Sequence, residues 1–237
     1  MNPLKFILNF LYPNYCQNCD KLLKNYDPHC FCSECWSEIK IIKTPTCKKC
    51  GKPIITSSGI CNDCKNSKFY YNEIKVLGLY EGILKDAIHL YKFNGRFKIS
   101  YDFASLIFNN TEKEYFLDCD LIIPVPLTKN RLLERGFSQT YLVSKYLGKF
   151  YNLPVYKNVL LKIKDTIPQS LLTREERLKS LINCFAINKN LKNIILNKKI
   201  LLFDDIFTTG STVNECSKVL KENGASYIKV FTIARGV

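Results

Sequence analysis

The chain has 237 residues, of which 46% are hydrophobic, enough for a packed core in one large or two small domains and too many for a disordered chain. Lysine and arginine number 35 against 21 acids, and the formal charge of +14 favours an anionic partner such as a nucleotide, a nucleic acid or an anionic lipid. No stretch approaches eighteen apolar residues, so we expect no transmembrane segment and a cytoplasmic location. Residues 1–15 predict a short amphipathic helix, with a peripheral membrane anchor as the alternative.

Four Cys-x-x-Cys pairs follow within fewer than fifty residues. A two-residue gap lets one turn present two thiolates to a single tetrahedral ion, so the pairs predict two structural zinc sites with no open position for water. A disulfide framework is the alternative, disfavoured in a chain without a secretion signal. We assign Cys16, Cys19, Cys32 and Cys35 to one site, and Cys47, Cys50, Cys61 and Cys64 to the other. A cross-braced pairing, or ligation by His29 or Cys30, stays open.

Residues 62–72 are polar and lack apolar periodicity, so we place a domain boundary near residue 72, between a zinc-binding domain at 1–72 and a second domain at 73–237. The second domain begins with a predicted strand at 74–80 and a predicted helix at 82–93. Another buried strand, 120–126, ends in two prolines that cannot continue a ladder.

A basic segment follows this strand and leads to a helix capped by Ser138. Its cations Lys129, Arg131 and Arg135 suit a pyrophosphate, and a solvated basic loop is the alternative. Further on, Thr173 and Glu176 form a capping box, which predicts a helix start carrying Arg174 and Arg177. Cations at a helix start oppose the dipole, so an anion is expected beside them.

The stretch at 200–212 combines a buried strand, two carboxylates and a turn of small residues before an amphipathic helix. Asp204 and Asp205 end the apolar run, and backbone N–H groups and hydroxyls of the turn converge at a helix N-terminus, where a phosphate is favoured. Strands and helices alternate from residue 120 onward and predict a mostly parallel sheet with its ligand at the carboxyl ends of the strands. A solvated acidic pair before an ordinary helix is the alternative.

This stretch resembles the phosphoribosyl pyrophosphate (PRPP) signature of type I phosphoribosyltransferases. The resemblance implies that Asp204 and Asp205 bind the ribose hydroxyls and face Mg²⁺. It also implies a cradle for the 5-phosphate, made by Thr208, Thr209, Gly210, Ser211 and Thr212.

The whole chain resembles the ComF competence family of bacteria: paired zinc ribbons, Tyr-Lys-Phe-x-Gly-Arg at 91–96, a basic Arg-Gly-Phe segment and the PRPP motif. Ser138 and Ser180 stand where that family has Asn. The resemblance implies an α/β type I phosphoribosyltransferase fold with an N-terminal double zinc-ribbon domain.

The implied function is binding of PRPP with Mg²⁺ in a protein involved in DNA uptake during natural transformation. Single-stranded DNA and competence proteins are candidate partners, since residues 129–199 carry a surplus of +11. The alternative is an active phosphoribosyltransferase on an unknown acceptor, with no DNA role. Its catalytic residues would be Asp204, Asp205, Lys129, Arg131 and Arg135, and Arg174 and Arg177 would bind the phosphosugar.

Overall fold

The computed structural model describes residues 14–23, 30–55, 59–164, 181 and 183–236. Most of the predicted N-terminal helix lies outside these ranges, as do the capping box at Thr173 and both arginines beside it. No helix in the described ranges is long and apolar enough to cross a membrane.

The N-terminal region is built from short turns around the cysteines. Among its described residues the helices are α1 (Ser33–Ser37) and α2 (Asn62–Lys65), and each has a cysteine as its N-cap residue. Isolated bridges join Tyr15 to Leu22 and Thr46 to Pro53, so each ribbon doubles back on itself around its first cysteine pair. Since the described part of this region, 14–23, 30–55 and 59–72, contains little regular structure, the cysteine sites are what organise it.

A parallel four-stranded sheet forms the centre of the rest of the chain. Its strands are β1 (Glu73–Leu79), β2 (Leu121–Pro124), β5 (Lys199–Phe207) and β6 (Tyr227–Arg235), arranged in the order β1-β6-β5-β2. All three pairings are parallel. A separate antiparallel pair is formed by β3 (Leu160–Lys162) and β4 (Phe185–Ile187). The predicted mostly parallel sheet is confirmed.

Helices cover both faces of this sheet. They are α3 (Gly82–Phe93), α4 (Ile99–Asn110), α5 (Lys113–Leu117), α6 (Lys129–Arg135), α7 (Gln139–Tyr151) and α8 (Ser211–Glu222). A 3-10 helix, Lys189–Ile195, precedes β5.

The central strand β5 is buried on both faces because its apolar residues alternate between two cores. Leu201 and Phe203 pack in the core with α3, α4 and α7. Ile200 and Leu202 pack in the other core, with α8 and the β3–β4 pair. A continuous apolar run is the pattern expected of a parallel strand covered on both sides. The residues that end this strand are thereby held by a rigid core.

The second ribbon is hydrogen-bonded directly to the sheet. The Lys48 carbonyl accepts from Ile74 N at 2.9 Å, and the Cys50 carbonyl accepts from Arg235 Nε at 3.0 Å. Gly51 has φ +67°, and a Cβ there would lie 2.3 Å from a Val76 methyl carbon, so only glycine lets the ribbon approach β1 this closely. The boundary near residue 72 stays a prediction, and across it the two parts share backbone hydrogen bonds.

Candidate functional site

The cysteines come together in two groups of four. Within each group all the Sγ atoms lie within 4.8 Å of one another; the groups are Cys16, Cys19, Cys32, Cys35 and Cys47, Cys50, Cys61, Cys64. This is the sequential grouping and not the cross-braced one. All of these cysteines are free thiols.

The spacing of the sulfur atoms fits a tetrahedral zinc ion. Zinc–thiolate bonds of about 2.3 Å in a tetrahedron put the sulfurs roughly 3.8 Å apart. The Cys19 and Cys32 sulfurs are 3.6 Å apart, and those of Cys50 and Cys61 are 3.7 Å apart. Backbone N–H groups point at the first sulfur of each site: Cys32 N donates to Cys16 Sγ, and Cys61 N to Cys47 Sγ, each at 3.3 Å. Such bonds stabilise thiolates, so the donor sets fit zinc and leave no open position.

Cys30 stands apart from the first group. Its side chain is buried, and burial raises the pKa of its thiol. The four sulfurs of the first group already complete a tetrahedral donor set without it, so Cys30 is a packing residue beside the site. His29 lies outside the described residues.

The segment after β5 forms a tight turn at the start of α8. Gly210 is the N-cap of this helix with φ +78°, and a Cβ there would lie 2.6 Å from the Phe207 ring. The Thr209 and Ser211 hydroxyls hydrogen-bond to each other at 2.6 Å, and Ser211 N donates to Thr209 Oγ1 at 3.4 Å. Backbone N–H groups and hydroxyls of this turn therefore lie together at the start of a helix, where an anion is favoured.

Two buried carboxylates stand immediately before this turn. Asp204 is 9% exposed and Asp205 is 7% exposed. Burial, reinforced by the neighbouring charge of Asp205, raises the pKa of Asp204 to about 7. The Asp205 N–H donates to Asp204 Oδ1 at 2.9 Å and opposes that rise. A cation bound beside the pair would stabilise the ionised form of Asp204, which burial disfavours.

Asp205 is held by two side chains that the sequence analysis did not assign to the site. Lys92 Nζ on α3 lies 2.9 Å from Asp205 Oδ2, and Gln139 Nε2 on α7 donates to the same oxygen at 3.2 Å. The side chain of Lys92 is only 16% exposed, so this is a buried ion pair. Tyr91 OH donates to the Gln139 carbonyl at 2.8 Å and ties the two helices together. Two sequence features could have pointed to these residues. Lys92 belongs to the Tyr-Lys-Phe-x-Gly-Arg string at 91–96, and Gln139 directly follows the predicted helix cap Ser138.

The basic segment after β2 is a helix, where a loop was predicted. Thr128 Oγ1 accepts from Arg131 N at 3.4 Å and caps α6, and Gly136 ends the helix in the left-handed region. Arg135 is half-buried over the Phe93 ring, 5.3 Å from its centre. Burial lowers the pKa of Arg135, and the negative charge of Asp205 opposes that shift.

Of the other cations in this segment, Lys129 faces a groove, and Arg131 is not among the residues that line it. Lys129 and Lys162 both line a cavity of about 780 Å³ between α6, α7 and β3. Burial lowers the pKa of Lys162, while the negative charge of Asp204 opposes that shift. Strand β3 therefore brings Lys162 toward the carboxylate pair, a cation that the sequence analysis did not assign to the site. Arg174 and Arg177 lie outside the described residues.

Comparison with known proteins gives matches along the chain. Residues 7–65 match the family model for a double zinc ribbon domain. Competence protein F of Haemophilus influenzae is 31% identical over 208 residues, covering 86% of this chain and 90% of the relative. Competence protein ComFC of Streptococcus pneumoniae is 31% identical over 219 residues, covering 90% and 91%. The DNA utilization protein YhgH of Escherichia coli is 27% identical over 208 residues, covering 86% and 89%.

Among solved structures, glutamine phosphoribosylpyrophosphate amidotransferase from B. subtilis is similar over 58% of this chain, with a TM-score of 0.38 and 13% identity. The match covers 26% of that chain, so this protein spans about a quarter of its length.

Two four-cysteine ribbons joined to a parallel α/β sheet with flanking helices define a double zinc-ribbon protein with an α/β domain. Relatives at 31% identity cover most of the sequence. The protein belongs to the ComF family of competence proteins.

Proposed function

We propose that this protein binds PRPP with Mg²⁺ at the carboxyl edge of its sheet and takes part in DNA uptake during natural transformation. One observation supports this ligand: two buried carboxylates near the end of β5 lie just before a turn in which backbone N–H groups and hydroxyls meet at the start of α8. The DNA role is supported by the names of the relatives, two competence proteins and a DNA utilization protein.

Different site residues would bind different parts of the phosphosugar. The turn from Thr208 to Thr212 supplies N–H and hydroxyl donors for the 5-phosphate, and Asp204 and Asp205 accept hydrogen bonds from the ribose hydroxyls. Carboxylates together with substrate phosphates are the ligands that Mg²⁺ prefers, so this donor set fits the ion. Mg²⁺ bound with PRPP would neutralise charge on the pyrophosphate.

The second candidate function is phosphoribosyl transfer to an acceptor that the sequence does not identify. It is favoured by the cations of α6, because Lys129, Arg131 and Arg135 would stabilise pyrophosphate as a leaving group. Pyrophosphate release, screened over nucleobases and amines with PRPP and Mg²⁺ present, distinguishes transfer from binding alone.

The carboxylate pair provides the direct test of PRPP binding. Changing Asp204 and Asp205 together to Asn keeps their shape and removes their charge, so affinity for PRPP with Mg²⁺ should fall by about 1.5–3 kcal/mol, the contribution of a charged hydrogen bond. Calorimetry measures this loss. The matched control is Asp63→Asn with Asp86→Asn, which removes the same charge from two exposed positions. Equal affinity in the two double variants would refute the assignment.

The DNA proposal predicts competition. Arg131 and Arg135 belong to the segment that we assign to both ligands, so millimolar PRPP with Mg²⁺ should weaken binding of a single-stranded oligonucleotide. Each phosphate contact should contribute about −0.7 to the slope of log affinity against log salt. The Asp204→Asn, Asp205→Asn variant should bind DNA and lose the inhibition by PRPP. Unchanged DNA affinity in wild-type protein saturated with PRPP would show that the two surfaces are separate.

A further inference from the structure

A second cavity, of about 410 Å³, lies at the amino ends of the strands, the end of the sheet opposite to Asp204. Glu73 and Tyr227, the first residues of β1 and β6, form part of its wall. The register pairs Lys199 with Tyr227 and Asp204 with Thr232. Five residues at about 3.3 Å each separate the two levels, so the cavity is roughly 16 Å from the carboxylate pair along the strands. It is therefore distinct from the proposed PRPP site.

Three lysines from two parts of the chain line this cavity. Lys48 and Lys49 come from the turn of the second ribbon, and Lys221 comes from the last turn of α8. The one acid in the wall, Glu73, lies 3.4 Å from Lys229, which offsets its charge. Within the described part of the chain, Lys48 and Lys221 have no carboxylate partner. The lysines of the wall thus outnumber its one acid, and an anion would offset their charge.

The rest of the wall is aromatic. Phe69, Tyr70 and Tyr227 are partly exposed there, beside the buried Tyr71. Lys49 Nζ donates to the Tyr71 and Asn72 carbonyls at 3.1 and 2.7 Å and lies 5.9 Å from the centres of the Phe69 and Tyr71 rings. Lys49 is therefore a structural residue that fixes this wall, while Lys48 and Lys221 keep exposed side chains at the cavity.

Lysines are phosphate binders, and aromatic side chains stack on the face of any nucleobase. We infer that this cavity binds a nucleoside 5′-phosphate, with the phosphate on Lys48 and Lys221 and the base against the aromatic wall. The group would come either from a free mononucleotide or from the 5′ end of a single strand. Since the wall joins the ribbon, β1, α8 and β6, a bound nucleotide would bridge the ribbon and the sheet.

The test measures binding of AMP and of a 5′-phosphorylated oligothymidylate to the full chain by calorimetry. Lys48→Ala with Lys221→Ala should weaken binding at least tenfold. The control is Lys65→Ala with Lys85→Ala, which removes the same charge from exposed positions outside the cavity and should leave binding unchanged. Asp204→Asn with Asp205→Asn should leave the lysine-dependent binding intact.

AMP bound more tightly than ribose 5-phosphate supports the aromatic contact, and equal affinity for the two overturns the assignment of a nucleoside. Lysine-dependent binding of the oligonucleotide alone identifies the strand end as the source, and binding of AMP identifies the free nucleotide. The inference is overturned if neither probe binds, if the Lys48 and Lys221 variant binds as the control does, or if only the Asp204 and Asp205 variant loses binding.

Discussion

Removal of zinc is expected to unfold the ribbons and to weaken the sheet beside them. Structural zinc contributes about 10–16 kcal/mol of apparent binding energy in small zinc domains, and this region has little other regular structure. The Lys48 and Cys50 carbonyls are hydrogen-bonded to β1 and β6, so loss of the second site should also expose those strands. Purified protein should contain two zinc ions by elemental analysis, and a chelator should lower its melting temperature.

The single tryptophan provides a local probe of the first site. Trp36 follows Cys35 directly, and its ring lies 5.6 Å from that of Phe31 and 5.9 Å from that of Phe103 on α4. Cys35→Ser should halve the zinc content and shift the emission of Trp36 toward that of a solvated indole. The matched control is Cys30→Ser, a buried cysteine of the same ribbon outside the four-sulfur group, which should keep both zinc ions. Protein with well under one zinc per chain and oxidised cysteines would contradict the prediction.

Local sequence patterns were sufficient for the elements with strong periodicity. The helix predicted at 82–93 is α3 with the same bounds, and the Ser138 hydroxyl accepts from Tyr141 N as the predicted cap of α7. The strand before Asp204 was equally clear, because a short apolar run followed by carboxylates and small residues fits few other structures. In each case the determining interactions lie within a few residues along the chain.

The elements that the sequence analysis missed depend on distant partners or on caps. Helix α6 has seven residues, no buried side chain and several cations, so it shows no apolar periodicity; Thr128 and Gly136 define its ends. Strands β3 and β4 have three residues each and exist because they pair with each other. The contact between Lys92 and Asp205 joins positions 113 residues apart on separate elements, and only the packing of α3 against the sheet brings them together.

This buried ion pair predicts a large loss of stability when one partner is removed. Among the described residues, Lys92→Met leaves the Gln139 amide as the side-chain donor to the Asp205 carboxylate, and breaking such a pair from one side costs about 3–5 kcal/mol. Denaturant unfolding measures the change. Lys85→Met, on the exposed face of the same helix, is the matched control and should change the free energy of unfolding by less than about 0.5 kcal/mol.

A double-mutant cycle separates this pairing from the packing of the lysine side chain. If charge is the cause, then Lys92→Met combined with Asp205→Asn should be more stable than Lys92→Met alone, since no unpaired carboxylate remains buried. Mg²⁺ with PRPP should also raise the melting temperature of Lys92→Met more than that of the wild type, because a cation at Asp205 replaces the missing ammonium charge. Additive losses in the cycle would show that Lys92 contributes by packing. An equal response of the two proteins to Mg²⁺ with PRPP would argue that the cation does not bind at Asp205.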